Sequence, residues 1–397
     1  MAIDTRVELI AALHEAAEIE HGLMIQYLFP AFSLKKRADE GLRPAQLALA
    51  REWGATILGV AVEEMGHLGT VCNLLAAIGE GPRFERPNLP QTVGYYPFPF
   101  DLVPFGDEAL YRMLVFELPR GEPLPAPPFA DEIAADSLAL AAPEPLTYDY
   151  VGELYEKIRD GFGAIAESEL FIGPPDAQVA DTWSVRLDLR PVTSQASAFD
   201  AIDDIILDGE GAPADRMTSH YGRFLGIRNA YARAGRFAAA RPVVTNPQTR
   251  KKRGTGPGTL LTFELATNVA ELFNEVYAAA LLILQQFFAF AGETQQQREA
   301  LKAAAGQLMS TAVRPVSEVL TELPAFDPAD ERRAGAPFEL YDAVSVSPFL
   351  SARWTILLER LQAVSDEALA LGAEVPRLAA VGETVKFLRR RMTEVAP

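Results

Sequence analysis

Two residues with metal-binding side chains, Glu64 and His67, stand in a stretch that otherwise has the pattern of a helix facing a hydrophobic core. Its apolar residues recur at alternating intervals of three and four from Trp53 to Ile78, which is typical of the buried stripe of an amphipathic helix. Positions 64 and 67 continue this stripe, one turn apart on the same face. A carboxylate facing a core is costly unless its charge is compensated. A metal ion is a common compensation, because carboxylate oxygen and imidazole nitrogen can coordinate it together.

The first predicted helix, at about residues 4–29, has the same anomaly. Its apolar stripe passes through position 20, which is Glu20, and His21 follows directly. Pro30 is expected to stop or kink this helix, because proline lacks the backbone N–H. Two consecutive helices therefore each direct an acid toward the core between them.

This arrangement matches the carboxylate-bridged metal centres of four-helix bundles, in which two helices each supply one Glu and two supply Glu-x-x-His. A hydrogen-bonded pair of Glu64 and His67 without metal is an alternative, but it leaves the inward Glu20 unexplained. The sequence therefore predicts an all-α four-helix bundle with a metal site in its core.

The composition excludes several classes of protein. The chain has 397 residues, of which 49% are hydrophobic, so general disorder is excluded and a large core is expected. Its formal net charge of −18 disfavours nucleic acid and anionic membrane surfaces as partners, because their phosphate groups would be repelled. The single Cys72 excludes an intrachain disulfide framework and is expected to be a buried structural thiol.

No segment of the chain is predicted to target or cross a membrane. The first residues lack the basic and then apolar pattern of a signal peptide. The longest apolar run, from Val276 to Leu284, is far shorter than the ~20 residues that a transmembrane helix requires. We therefore expect a soluble, cytoplasmic protein.

Composition and helix patterns divide the chain into a bundle, a linker and a second helical region. The bundle is expected at residues 1–240, with a Pro- and aromatic-rich insertion at 82–128 whose prolines forbid a long helix except near 107–116. Residues 241–258 are rich in Pro, Gly and basic residues and form the predicted linker. Residues 259–397 have the pattern of a C-terminal helical region. The insertion is expected to cover the bundle, with a substrate-pocket wall as the alternative.

Two more helices complete the predicted bundle. Helix C, at about residues 147–171, places Glu153 at the edge of its apolar stripe, where an inward position fits the pattern without being required by it. Helix D, at about residues 194–208, ends at a Gly-rich turn that contains Glu210. A further helical stretch begins near His220.

Several short runs together form a recognisable pattern: Glu18-Ile19-Glu20-His21, Glu63-Glu64-Met65-Gly66-His67-Leu68, Gly152-Glu153-Leu154-Tyr155, Gly209-Glu210-Gly211 and Ser219-His220-Tyr221-Gly222-Arg223-Phe224. This pattern resembles the ferritin-like domain of the violacein- and rebeccamycin-type imine dimer synthases. The resemblance covers most of residues 5–240 and extends more loosely into the C-terminal half. It implies a ferritin-like bundle that holds iron, in a family whose named members oxidatively couple two indole-pyruvate imines.

Carried over residue by residue, the resemblance implies metal ligands from all four helices: Glu20, Glu64, His67, Glu153, Glu210 and His220. The last two depart from the usual pattern, because they are ten residues apart across a loop instead of three apart on one helix. The resemblance therefore implies one or two irons per chain, and leaves a single ion and an unequal pair equally open.

Two functions from different classes are consistent with such a site. The first is a non-haem iron oxidase or oxygenase that uses dioxygen or peroxide on a small metabolite, which the resemblance suggests is derived from an aromatic amino acid. The alternative is a metal-binding or iron-handling bundle without an organic substrate. The C-terminal helical region favours the first, since iron-storage subunits are single compact bundles. A monomer or small homo-oligomer is expected.

Overall fold

The structure is a computed structural model that describes residues 2–126, 151–184, 187–209, 217–250, 258–341 and 345–397. Within these ranges the chain consists of α-helices, short helical turns and two small two-stranded ladders. It divides into two compact units. The first comprises Met1–Gly81 and Pro90–Arg241, and the second comprises Pro82–Leu89 and Pro242–Pro397.

The first unit is organised around two long antiparallel helices, α1 (Arg6–Ser33) and α2 (Pro44–Ala77). Pro30, which was expected to stop or kink the first helix, lies inside the last turn of α1. There its missing N–H removes a single helical hydrogen bond, so the helix continues to its C-terminal residue. Ser33 Oγ donates a hydrogen bond to the Pro30 carbonyl at 2.8 Å and secures this turn.

The C-terminus of α2 is defined by glycines. Gly79 follows the helix with a φ of +88°, the left-handed conformation that glycine adopts without strain and that commonly ends helices. The chain returns to this end at Gly173, where a Cβ would overlap the carbonyl oxygen of Ala76. Glycine is therefore required at position 173 by close packing.

Shorter helices fill the other two positions of the bundle, and they are α3 (Asp107–Phe116), α4 (Val151–Ala164), α5 (Glu167–Leu170), α6 (Gln195–Asp208) and α7 (His220–Arg233). Helices α3 and α4 pack along α1, while α6 and α7 pack along α2. Each of these positions is thus occupied by two helices in succession, where a regular bundle would have one long helix. Helix α3 ends at Phe116 and α6 at Asp208, and His220 is the first residue of α7.

A small antiparallel ladder of β1 (Asp181–Ser184) and β2 (Leu187–Leu189) is attached to α2. Asn73 of α2 makes this attachment, because its amide nitrogen donates to the carbonyls of Val179 and Arg190 at 2.7 and 3.0 Å. Its amide oxygen accepts from the Val179 N–H at 2.9 Å. A buried Asn with both ends used fixes the ladder on the helix.

The aromatic segment between α2 and α3 is part of the core of the first unit. Tyr96, Phe98 and Phe100 are all buried. The Phe100 ring lies directly on Gly22 of α1, where a Cβ would collide with it, and its centroid is 5.3 Å from that of Phe116. The segment therefore covers the bundle, as expected from its composition.

The second unit contains the parallel ladder of β3 (Pro247–Gln248) and β4 (Thr259–Leu260), followed by α8 (Glu264–Phe288), α9 (Gln295–Leu308), a π-helical turn (Met309–Val313), α10 (Arg314–Leu320), α11 (Leu350–Leu371) and α12 (Pro376–Thr393). The segment Pro82–Leu89 is attached to it through Asn88, which donates to the Leu340 carbonyl at 2.8 Å and accepts from its N–H at 2.6 Å. This attachment divides the predicted insertion between the two units.

Among the described residues, α8 is the one helix that is long and apolar enough to cross a membrane by length and composition. Of its most apolar window, 67% is buried inside the protein. A core helix of a soluble protein passes the same test, and α8 has the burial of such a helix.

Candidate metal centre

The acids and histidines predicted from the α1 and α2 stripes meet in the middle of the bundle. Glu20 and Glu64 are completely buried, and His67 is 6% exposed. His67 Nδ1 lies 2.9 Å from Glu64 Oε2 and 3.6 Å from Glu20 Oε2. One ligand atom from each of these three residues lies within 4.8 Å of the other two, so one ion could be held by all three.

A second group of three shares Glu64 with the first. His220 Nδ1 lies 2.9 Å from the other carboxylate oxygen of Glu64, Oε1, and 3.4 Å from Glu117 Oε2. Glu117 and His220 are completely buried, and the ligand atoms of the group again lie within 4.8 Å of one another. The two oxygens of Glu64 thus face the two groups separately, which is the arrangement of a bridging carboxylate.

Glu117 was not identified from the sequence. It caps the C-terminus of α3 in a Pro-rich segment, where no long periodic pattern identifies an inward face. The available signal was its position directly after the predicted helix at 107–116. It supplies the carboxylate that a third helix contributes in four-helix-bundle metal centres.

Two of the predicted ligands are not brought into these groups. Glu153 is half-buried on α4 and belongs to neither group, while Tyr155, two residues later, is buried and donates a hydrogen bond to Glu20 Oε1. Residues two positions apart lie about 200° apart around a helix, so an inward Tyr155 turns Glu153 away. Glu210 lies outside the described residues.

Four buried ligand atoms at the centre form no well-aligned hydrogen bond and contact one another or His67 only as ion pairs at 2.9–3.6 Å, and they are Glu20 Oε2, Glu64 Oε1, Glu117 Oε2 and His220 Nδ1. A buried polar atom without a partner costs free energy, and natural proteins rarely contain several together. These four atoms lie on the facing sides of the two groups. Oxygen and imidazole nitrogen are suitable ligands for iron and related divalent metals, so the residues present fit a metal ion.

The pKa values of these groups are shifted by burial and by the charges of their neighbours. Burial raises the pKa of Glu20 to about 7 and also raises the pKa of Glu117. Burial alone would lower the pKa of both His67 and His220, but the surrounding carboxylates, with Glu64 contributing most, together outweigh it and raise the pKa of both well above its usual range. Protons thus carry the positive charge that the buried carboxylates require, and a metal ion that displaces them would carry it instead.

Two tyrosines hold the outer oxygens of the carboxylates. Tyr27 of α1 donates to Glu117 Oε1, and Tyr155 of α4 donates to Glu20 Oε1. Burial and the charge of Glu117 raise the pKa of Tyr27 well above its usual value, so its hydroxyl keeps its proton and remains a donor. Each bond leaves the second oxygen of its carboxylate turned toward the facing imidazole.

Space for the second group is maintained by a glycine. A Cβ on Gly209, which ends α6, would lie 2.9 Å from His220 Nδ1 and 3.0 Å from Glu117 Oε2. Such a side chain would occupy the volume between two candidate ligands. The glycine at the end of α6 therefore leaves room beside these two ligands.

A cavity of about 580 Å³ reaches the centre from the side of α2 and α6. Its described wall includes His67, Glu63 and Arg223 at the end nearest the centre, and Asp200 and Asp204 of α6 further out. This volume is in the range of small-molecule sites. The buried aromatic segment does not contribute to this wall.

The fold and this centre define a class of protein. Residues 13–229 match the ferritin-like family model, which is more than half of the chain, and the chain belongs to this family. A crystal structure of a ferritin-like protein from Caulobacter vibrioides has the same fold, with a TM-score of 0.54 at 19% identity, over 83% of this chain and 100% of that one. The all-α, ferritin-like fold class is confirmed.

Two named relatives show which type of ferritin-like protein this chain is similar to. The chain is 28% identical over 392 residues to dichlorochromopyrrolate synthase of Lentzea aerocolonigenes, covering 87% of this chain and 37% of that protein. It is 27% identical over 352 residues to 2-imino-3-(indol-3-yl)propanoate dimerase of Chromobacterium violaceum, covering 81% of this chain and 33% of that protein. The predicted similarity to the imine dimer synthases is confirmed. The chain spans about a third of the length of these relatives.

Proposed function

We propose that this chain is a non-haem iron protein that oxidises a small metabolite at the centre between α1, α2, α3 and α7. The observation that carries the proposal is the convergence of two buried ligand groups on the shared carboxylate of Glu64, with carboxylate oxygens that contact the imidazoles without well-aligned hydrogen bonds. Glu20, Glu64 and His67 would hold one ion, and Glu64, Glu117 and His220 a second. Two irons per chain, or one in the better-formed position, follow from this ligand set.

Iron bound by carboxylates and imidazoles supplies redox chemistry with dioxygen or peroxide, and the protein supplies geometry and exclusion of water. Here Tyr27 and Tyr155 fix the rotation of two carboxylates through their hydroxyl groups. Complete burial of Glu20, Glu64 and Glu117 keeps bulk water from these ligands. The chain therefore provides a donor set whose carboxylates are buried and oriented before any ion binds.

The cavity beside His67 gives an organic substrate a way to approach the centre. Its size suits a small metabolite, and the names of the two relatives describe an indole-derived imine and a dichlorochromopyrrolate. A substrate derived from an aromatic amino acid is the corresponding proposal for this chain. The Asp and Arg side chains of the wall can orient polar groups of such a compound.

Other properties of the chain are proposals of the same kind. We infer a cytoplasmic protein, a monomer or small homo-oligomer, with no nucleic-acid or membrane partner, since a net charge of −18 repels phosphate-rich surfaces. The alternative function, an iron-handling bundle without organic substrate, would use the same ligands but leaves the cavity without a role.

Anaerobic reconstitution with Fe²⁺, followed by exposure to oxygen or peroxide, tests the proposal. Binding of one or two irons per chain and stoichiometric oxidation without mineral growth are expected. Aromatic amino acids and their imino acids are then added, and substrate-dependent turnover is measured. Many irons accumulating per chain would support the iron-handling alternative, and no iron binding at all would overturn both.

A further inference from the structure

In the second ligand group, formed by Glu64, Glu117 and His220, the His220 ring is also hydrogen-bonded to an acid that is not a candidate ligand. Glu63, the residue before the shared Glu64 on α2, has its carboxylate outside the two groups, and its Oε2 lies 3.0 Å from His220 Nε2. His220 therefore contacts acids on both sides: Glu63 at Nε2, and the candidate ligands Glu64 and Glu117 at Nδ1.

This geometry determines how the imidazole can be protonated. A neutral imidazole carries one proton, and the hydrogen bond to Glu63 requires that proton at Nε2. In this tautomer the Nδ1 lone pair is the one available to an ion held by Glu64 and Glu117, which lie 2.9 and 3.4 Å from that nitrogen. An imidazole nitrogen binds metal only through that lone pair, so the contact with Glu63 selects the tautomer that can be a ligand.

Arg223 keeps Glu63 in place. It lies one turn after His220 on α7, and its guanidinium donates to both oxygens of Glu63, with Nη1 to Oε1 at 3.1 Å. Its Nε donates to the Ser219 carbonyl at 3.3 Å.

The contacts of His67 are different. Its Nδ1 faces Glu64 and Glu20, and the residue lines the cavity. The two imidazoles of the centre are thus held differently. Loss of Glu63 should consequently affect the group that contains His220 and spare the group that contains His67.

We propose that Glu63, held by Arg223, is a positioning residue that orients His220 and so completes the second metal position, formed by Glu64, Glu117 and His220. The proposal rests on the proposed metal-binding function. It assigns Glu63 no contact with metal or substrate. Its effect passes entirely through the His220 ring.

The chain has four histidines, so imidazole nitrogen NMR of histidine-labelled protein can follow each ring. Zn²⁺ serves as a diamagnetic probe, and His67→Gln and His220→Gln variants assign the signals. In the wild type, zinc should shift His220 Nδ1 while Nε2 stays protonated. Glu63→Ala should remove this signature from His220, leave that of His67, and weaken zinc binding at the second position about 10–100-fold.

Graded variants separate positioning from simple destabilisation. Glu63→Gln retains an oxygen acceptor, so it should recover part of the zinc affinity lost in Glu63→Ala, and Arg223→Lys should have an intermediate effect. Glu52→Gln is the matched control, since Glu52 is an exposed acid on the same helix, and it should bind as the wild type does.

Two results would overturn the inference while leaving the proposed function intact. One is zinc binding and a His220 signature in Glu63→Ala that equal those of the wild type. The other is a wild type in which zinc shifts His67 but not His220. A wild type that binds neither zinc nor Fe²⁺ would instead overturn the proposed function, and the inference with it.

Discussion

The imidazole rings of His67 and His220 lie face to face, with centroids 5.5 Å apart and an angle of 27° between their planes. They come from different helices, α2 and α7, and each places its Nδ1 2.9 Å from one oxygen of Glu64. One carboxylate thus spans two imidazoles, and this relationship leads to the first prediction.

Glu64→Ala should reduce bound metal more than Glu20→Ala or Glu117→Ala, because Glu64 belongs to both groups and each of the others to one. Metal per chain after Fe²⁺ or Zn²⁺ loading and gel filtration measures the difference. Glu153→Ala is the control and should keep the full metal content, since Glu153 is in neither group. Loss of metal from Glu153→Ala would favour the sequence-based assignment over the one drawn from the structure.

Gly209→Ala should impair the second metal position. The added Cβ would lie 2.9 Å from His220 Nδ1, too close for an ion to share that atom. Gly226→Ala on α7 is the matched control, since nothing lies within 4 Å of its Cβ position. The control should be neutral or stabilising by up to about 1 kcal/mol, as expected for alanine in a helix. Equal metal affinity in the two variants would contradict the prediction.

Tyr27→Phe and Tyr155→Phe should each destabilise the metal-free protein. Each change leaves a buried carboxylate oxygen, on Glu117 or Glu20, without its donor, which costs about 1–3 kcal/mol of the free energy of unfolding. Urea denaturation of metal-free samples measures this loss. Tyr221→Phe, at a partly exposed tyrosine of α7, should change stability much less.

Metal removal should lower the melting temperature of the first unit. An ion that binds only the folded state at 100 times its Kd adds about 2.7 kcal/mol, or about 5–10 °C in Tm for a unit of this size. Calorimetry with Zn²⁺ and with a chelator measures the shift. In Glu64→Ala the two scans should coincide, and a persistent shift there would indicate binding elsewhere.

Much of this centre could be predicted from the sequence, and what could not has physical reasons. Glu20, Glu64 and His67 stand within long helical stripes, where counting by turns identifies an inward polar residue. His220 is the first residue of its helix, so no preceding turns show which face it is on. Its assignment came from the family resemblance. Glu117 ends a ten-residue helix, which is too short to define a face.

The fold shows the same division between local and non-local information. Apolar periodicity predicts an all-α bundle, and α1, α2 and the short α3 occur where the sequence places them. The attachment of Pro82–Leu89 to the second unit depends on Asn88 meeting Leu340, a contact across 252 residues of chain. No local pattern encodes such a contact. Similarly, the sequence does not decide whether Glu153 or Tyr155 faces inward, and only packing distinguishes them.

The interrupted helices give the two halves of the centre unequal stiffness. Glu20, Glu64 and His67 lie in the interiors of uninterrupted helices, whose backbone opens only when much of the unit unfolds. Glu117 and His220 lie at a helix end and a helix start, where fraying requires few broken hydrogen bonds. Amide exchange should therefore be slow around one half and faster around the other. The half built on helix ends is then the one that can adapt its coordination while its neighbour remains fixed.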